Sequence, residues 1–511
     1  VVSAPTDALP DDPVLLKAIV IAERLESERL RQIIREFQRH RFGRRAESLP
    51  EDQLELALKD AEQAAAVGQA ESEQKNPAER KVRAVRRRGN RGKLPTHLPR
   101  IETVVDVEST ICPCSAGRVH RIGEDVSERL DIVPTQFRVL VVHRPKYACR
   151  ACTDVVVQAP APARLIEGGL PTEATVAQVP VSKFADHLPL YRQARIYARQ
   201  GIVLDRSTLA DWVGRAAFLL RPVHERLLDK LKASPKLFAD ETTAPVLDPG
   251  RGRTKTGQLF ANARDDRPWG GSDPPGVAYV YAPDRKAEQP IAHLSGFTGI
   301  LQVDGYGGYR VLARHNDVQL AFCWSHVRRK FYELATPGPA PIASEALTRI
   351  AELYRIEGEI RGRSAEERRI VRQERTRPLV EALEPWLRAK LQLISQKTKL
   401  AEAIRYTLSR RLGLCLFLDD GRIEIDNNVV ERTIRPLALT RKNALFAGSD
   451  ASAEHWVVIA SLIAICKLID IEPYRYLADV ITRIIEGHPN SRLDDLLPWA
   501  YATPQVLKAA A

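Results

Sequence analysis

Pro235-Lys236-Leu237-Phe238-Ala239-Asp240-Glu241-Thr242 reads as a short buried strand that delivers a carboxylate, Asp240, at its exposed end. Working outward, further strands are predicted at residues 258–262, 277–281, 301–303 and 319–323, separated by Pro, Gly and charge clusters. Residues 288–297 read as a helix between the third and fourth strands. From residue 341 to about 411 the pattern turns helical, with Leu347, Ile350, Leu353 and Tyr354 on one face. No strand resumes there, so the stretch reads as a helical insertion. The residues from 454 to 501 are mostly helical as well.

Two later stretches repeat the setting of Asp240. Gly299-Ile300-Leu301-Gln302-Val303-Asp304-Gly305-Tyr306 ends a strand on Asp304, and Ile425-Asp426-Asn427-Asn428-Val429-Val430-Glu431-Arg432 places Glu431 in a helical start. The expectation is that Asp240, Asp304 and Glu431 converge on one acidic, metal-binding site. Phosphodiester cleavage needs a nucleophilic oxygen, a stabilised leaving oxygen and charge neutralisation. Two Mg2+ ions roughly 3.5–4 Å apart supply all three, and Mg2+ (or Mn2+) takes carboxylate oxygens. Each residue also has a plainer reading. Asp240 can begin a turn, Asp304-Gly305 can turn a hairpin, and Asn428 to Glu431 fits a capping box. The basic company favours chemistry on phosphates. His326, Arg328 and Arg329 follow a strand, and Arg432, Arg435, Arg441 and Lys442 follow Glu431. Such cations suit DNA phosphates, and they suit ion pairs too.

At 511 residues the chain needs roughly two to four domains. Its net charge of +12 favours a polyanionic partner. Seven cysteines in so long a chain do not make a disulfide framework, so a reducing cytoplasm is expected. The acidic, proline-punctuated N-terminus does not read as a secretory signal. The apolar run from Trp456 to Cys466 is short of the roughly 20 residues of a membrane span. Neither a G-x-x-x-x-G-K-[ST] loop, a G-x-S-x-G elbow nor an H-E-x-x-H motif occurs, which argues against ATP hydrolysis, serine hydrolysis and zinc proteolysis.

Toward the N-terminus, Asp11-Asp12-Pro13 starts a helical pattern running to about Phe42. Glu23 and Glu26 interrupt its heptads, leaving two readings: a coiled-coil dimerisation helix, or an amphipathic helix packed on its own protein. A polar helix follows to about Ala70. Then comes a dense basic run that includes Arg86, Arg87, Arg88 and Arg91, broken by Gly89 and Gly92. It reads as a DNA-backbone contact, with a solvated linker as the alternative. Cys112-Pro113-Cys114 and Cys149-Arg150-Ala151-Cys152 flank a strand-like stretch at 130–142 with Pro134 at a turn. Thiolate pairs so spaced suggest a zinc ribbon holding Zn2+ through Cys112, Cys114, Cys149 and Cys152, against unliganded buried thiols. Residues 170–232 read as short helices. Gly201 and Ser207-Thr208 give a weak helix-turn-helix spacing there, and plain helical packing is the simpler reading.

The division this gives is multidomain α+β: 1–45 helical; 46–100 polar helix and basic linker; 101–165 zinc-ribbon-like; 166–232 helical, DNA-binding or linker; 233–455 catalytic, with an insertion at about 340–415; and 456–511 helical.

These stretches together resemble transposases of the bacterial insertion-sequence-66 family over nearly the whole chain. The resemblance is carried by Arg41-Phe42-Gly43-Arg44-Arg45, Arg144-Pro145-Lys146-Tyr147-Ala148-Cys149, Phe238-Ala239-Asp240-Glu241-Thr242, Arg264-Asp265-Asp266-Arg267-Pro268-Trp269, Asp304-Gly305-Tyr306, and Arg441-Lys442-Asn443-Ala444-Leu445-Phe446-Ala447-Gly448. It implies an RNase H-like α/β core with a DDE triad of Asp240, Asp304 and Glu431. It also implies a leucine-zipper-like N-terminal helix and a zinc-finger-like module. The activity implied is metal-dependent cleavage of DNA at insertion-sequence ends and strand transfer into target DNA, by a homo-oligomer with small accessory proteins from the same element. The chain departs from the family in its first cysteine pair, C-x-C where C-x-x-C is usual. Two other classes fit the residues: a structure-specific nuclease on the same core, and a catalytically inert, zinc-dependent DNA-binding protein.

Overall fold

A computed structural model describes residues 94, 96, 98–111, 117–133, 136–150, 155–248, 253–336 and 340–501. The expected N-terminal helix, polar helix and basic run with Arg86, Arg87, Arg88 and Arg91 lie outside these residues. So do Cys112, Cys114, Cys152 and Pro134.

The first sheet joins β1 (Arg100–Val104), β2 (Val119–Val133), β3 (Gln136–Cys149) and β4 (Val156–Gln158). β2 and β3 pair antiparallel from Val119↔Cys149 to Val133↔Gln136, while β1 (parallel) and β4 (antiparallel) pair with β3. Leu130, Phe137, Val139 and Val141 are buried and pack toward helices α1 (Glu173–Phe184) and α2 (Leu190–Arg199). Thr172 caps α1, its hydroxyl accepting from Thr175 N at 3.2 Å and donating to Asp131 at 2.9 Å. That pair ties the sheet to the helix.

Helix α3 (Arg206–Lys232) begins after Asp205, where the sequence placed a helical start, and buries Leu209, Trp212, Ala216, Leu220 and Leu227. Its apolar stripe is core-facing.

The second sheet has five strands: β5 (Lys236–Asp248), β6 (Arg253–Arg264), β7 (Gly276–Ala282), β8 (Gly299–Val303) and β9 (Val318–Phe322). Their order is β7-β6-β5-β8-β9. β5, β6 and β7 form an antiparallel meander; β8 and β9 run parallel to β5. Parallel neighbours need crossovers, supplied by α4 (Glu288–His293) before β8 and α5 (Gly307–His315) before β9. All five expected strands are present.

After β9 the chain stays helical through α6 (Trp324–Ala335), α7 (Pro341–Ile360), α8 (Ala365–Val371), a π turn, α9 (Arg377–Gln392), α10 (Lys399–Ser409) and α11 (Arg411–Asp419). The helices from α7 on occupy the stretch expected at about 340–415 and share an apolar cluster around Ile350, Leu353, Leu383, Ile404 and Phe417. The interior of this insertion also holds charge. Arg372 and Arg368 are 0% and 1% exposed. Arg372 grips Glu357 through two bonds of 2.7 and 2.6 Å, and Arg368 donates to Glu424 at 2.8 Å. Gly421 permits a close approach there: a Cβ would stand 1.7 Å from the Ala365 carbonyl oxygen.

The chain returns through α12 (Asn428–Ala444), α13 (Asp450–Leu468), α14 (Pro473–Ile485) and the short α15 (Pro498–Tyr501). By length and composition α13 could cross a membrane. Here Trp456, Ile459, Leu462, Ile463 and Ile465 are buried in the core that also receives α3 and β7. That one core runs through both the 232/233 and the 455/456 divisions drawn from sequence, and the second falls inside α13.

Candidate acidic metal centre

Strand register assembles the site. β5 pairs with β8 through Phe238↔Gln302, and β8 pairs with β9 through Val303↔Phe322. Continuing the same registers sets Asp240 level with Asp304, and Asp304 level with Cys323. With a side-chain period of two, Asp240 shares a face with Phe238, and Asp304 with Gln302. The row lies just past the carboxyl ends of β8 and β9, the side where open α/β sheets present groups to ligands, and alongside the inner part of β5.

Asp304 does not turn a hairpin. Its carboxylate accepts from Tyr306 N at 2.9 Å, Gly305 takes φ +110°, and the chain enters α5. Asp240 accepts from Glu241 N at 2.8 Å and remains within β5. Carboxylate oxygens of Asp240, Glu241 and Asp304 lie within 4.8 Å of one another. The Glu241 side chain is 3% exposed and pairs with Arg285, whose Nε donates at 3.0 Å. The fully buried Tyr309 lies against it. Both Glu241 Oε2 and the Tyr309 hydroxyl are buried without a well-formed hydrogen bond.

Burial pushes the Asp240 carboxyl up to about 8, reinforced by Asp304, Glu241 and Glu431. Glu241 is raised first by burial, then by Asp304. Three carboxyls crowded in a desolvated pocket with one arginine are short of positive charge. That deficit and the orphan carboxylate oxygen fit a hard divalent cation.

Glu431 arrives by a separate route. Residues 423–427 run along the strand ends. Gln302 Nε2 donates to the Glu424 and Asp426 carbonyls at 2.7 and 2.8 Å. Trp324 N donates to the Ile425 carbonyl at 3.0 Å. Asn427 N donates to Cys323 Sγ at 3.2 Å, and Asn427 Nδ2 to the Ala239 carbonyl at 3.1 Å. Asp426 then receives Asn428 N at 3.2 Å and the Asn428 amide at 2.7 Å, opening α12. The plainer Asn428–Glu431 capping box is not formed. The Glu431 side chain is left to face His326 Nδ1 at 3.9 Å, in a group with Cys323 whose ligand atoms lie within 4.8 Å of one another.

Asp240 and Asp304 therefore meet, whereas Glu431 falls in a separate group with Cys323 and His326 and reaches Asp240 through its charge. Glu241 and Cys323 were not anticipated. Each has a local signal: Glu241 follows Asp240 directly, and Cys323 lies three residues before His326. His326, grouped with the DNA-contacting cations from sequence, turns its buried Nδ1 toward Glu431 instead. Arg328, Arg329, Arg432, Arg435 and Lys442 are exposed. Arg441 bonds Thr242 and Thr243, at 3.1 Å to the Thr242 hydroxyl, and so ties α12 to β5. Arg264 is also structural: it donates to the Pro274 carbonyl and to Ser234 Oγ, toward the amino-terminal end of β5 and away from Asp304.

In the first sheet, Cys149 is buried at the end of β3 opposite Val119. Ile111 bridges Arg118. Ile111, the residue before Cys112, and Cys149 thus lie at one end of the β2–β3 pair.

The family model described as Transposase IS66 family matches residues 168–455, which contain the whole acidic centre. The chain belongs to the IS66 transposase family. Three further models match this IS66-family chain: a zinc-finger binding domain of transposase IS66 at 109–153, Transposase C of IS166 homeodomain at 29–103, and the IS66 C-terminal element at 461–499. The chain is similar to proteins of Sinorhizobium fredii that carry the names uncharacterized protein y4jD, y4qI and y4hP. The first is 45% identical over 99% of both chains. The second is 42% identical over 97% of this chain and 98% of its own. The third is 38% identical over 94% and 89%.

Proposed function

We propose that the protein is a DDE transposase whose RNase H-like core cuts DNA at insertion-sequence ends and joins the freed ends to target DNA. The observation that carries this reading is Asp240 level with Asp304 on adjoining parallel strands, with Glu431 approaching from α12. The sheet order supports the RNase H-like assignment: an antiparallel meander extended by two parallel strands.

Asp240, Asp304 and Glu431 would hold Mg2+ or Mn2+, with Glu241 beside them. Divalent cations there supply charge neutralisation at the attacking and leaving oxygens of an in-line displacement. His326 orients the Glu431 carboxylate. The exposed Arg432, Arg435 and Lys442 on α12, with Arg328 and Arg329 on α6, hold DNA phosphates, which position without reading sequence. Zn2+ on Cys112, Cys114, Cys149 and Cys152 would brace the first sheet for binding DNA. Joining forms one phosphoester bond from a 3′-hydroxyl and breaks another in the target. It needs no nucleotide energy source, in keeping with a sequence that lacks a phosphate-binding loop motif.

The test is a strand-transfer assay with a labelled element end, a target plasmid and Mg2+. Wild type should yield joined product and Asp240→Ala none. Joining retained by Asp240→Ala overturns the assignment. Cuts without joined products make the protein a structure-specific nuclease, and binding without Mg2+-dependent cutting makes it an inert DNA binder.

A further inference from the structure

We propose that Arg410, Arg310 and Lys330 form a binding site for a DNA backbone phosphate beside the acidic centre, with Arg410 contributed by the helical insertion. This rests on the transposase reading above and adds to it a substrate-positioning role for the insertion.

The three cations are held on two aromatic rings. Arg410 lies 3.8 Å from the Tyr406 ring centre and Lys330 lies 4.6 Å from it. Arg310 and Arg410 stand 6.0 and 5.9 Å from the Phe322 ring centre. Cation–ring contacts fix a guanidinium's place without neutralising its charge. Among the described residues none of the three cations pairs with a carboxylate within 4 Å, whereas most arginines of the insertion do.

The cluster is anchored to the acidic centre. The Tyr406 hydroxyl donates to the Asp304 carbonyl at 2.7 Å. Arg410 reaches the Gly305 carbonyl only at 3.4 Å, and its other bonds, to Tyr406 O and Ser409 Oγ, are 3.5 and 3.3 Å long. Its Nε is buried without a partner. Gly305 leaves it room, since a Cβ there would come within 2.7 Å of that Nε. Burial and the nearby Arg310 work against the Arg410 charge, while Tyr406 and Asp304 favour it; an anion beside the guanidinium would add to that support.

A cation that only capped the end of α10 would need none of this. Position selects the anion. A site adjoining Asp304 receives whatever continues from the reacting phosphodiester, which is the next phosphate of the strand.

The experiment uses the full chain, in EDTA, with labelled duplexes from the DNA that brackets the coding region. Arg410→Gln should bind several-fold more weakly near 0.1 M salt. Its log–log salt slope should be shallower by about 0.9, the share of one phosphate contact. It should also lose ethylation interference at one or two phosphates, and Arg410→Lys should recover part of the affinity. Arg310→Gln, at an exposed position on α5, repeats the test if the Arg410 variant melts early. Unchanged affinity, slope and interference in folded variants of both overturn the proposal, even if wild type cuts and joins DNA. Wild type that neither cuts nor joins with Mg2+ defeats the transposase reading instead, and the phosphate footprint then stands or falls by itself.

Discussion

The Asn427 side chain donates to the Ala239 carbonyl at 3.1 Å, linking the residue that opens the Glu431 helix to the strand residue before Asp240. Asn427 is fully buried, and its main chain also binds Cys323 Sγ. This amide thus helps set the spacing between the first and third candidate ligand elements, β5 with Asp240 and α12 with Glu431. Asn427→Ala leaves the Ala239 carbonyl buried and unmet, a loss of about 1–3 kcal/mol. Melting should show that loss, and Mg2+-dependent cleavage should fall while DNA binding in EDTA holds.

Proton linkage gives a second prediction. Asp240 is raised to about 8 in the folded chain against an ordinary 3.8. The fold therefore prefers its protonated form. That contribution is complete below pH 3.8 and is lost as pH rises through about 8. In EDTA at pH 8.5, Asp240→Asn should melt higher than wild type by roughly 2–5 °C, and at pH 4 the two should agree. Mg2+ should raise the wild-type melting point more than the variant's. Apparent Mg2+ affinity should climb with pH until Asp240 is ionised.

Arg372 tests the charged interior of the insertion. Removing one member of a buried pair strands the other, at about 3–5 kcal/mol. Arg372→Ala should therefore lower the melting point sharply. Arg372→Met combined with Glu357→Leu should recover most of it, because no lone charge remains. A single variant as stable as wild type would show that Arg368, 3.6 Å from Glu357, holds the carboxylate by itself.

The cysteine module gives a fourth test. The protein should carry one Zn2+ per chain by elemental analysis, and Cys149→Ser should lose it. DNA binding should weaken on chelation in wild type and not further in the variant.

How legible was this in the sequence? The strands bearing Asp240 and Asp304 could be read because an apolar run that ends in a carboxylate has few other uses. The true length of β5 could not: Glu241, Thr242 and Thr243 look like a turn, yet they continue the pairing with β6. Glu431 could be expected at a helical start, with the family likeness assigning it the same role. What fixes it, Gln302 and Asn427 bonding main chain more than a hundred residues away, leaves no local pattern. Arg368 and Arg372 carry no sequence mark of their burial. Beside Glu366, Glu367 and Glu374 they look like a solvated helix face, and only the fold shows them enclosed. The insertion's existence was plain from periodicity, and its contribution to the site was not.

Glu424 has a further consequence. Its carboxylate takes Arg368 from the insertion, its amide donates to Gln302 Oε1 on β8 at 3.2 Å, and two residues earlier the Arg422 carbonyl receives the buried Lys236 at 2.6 Å. The insertion is therefore no cassette. Excising it and splicing the ends would maroon a carboxylate beside the sheet and unseat the linker to Glu431, so grafts between relatives should work only when this whole junction travels with the helices.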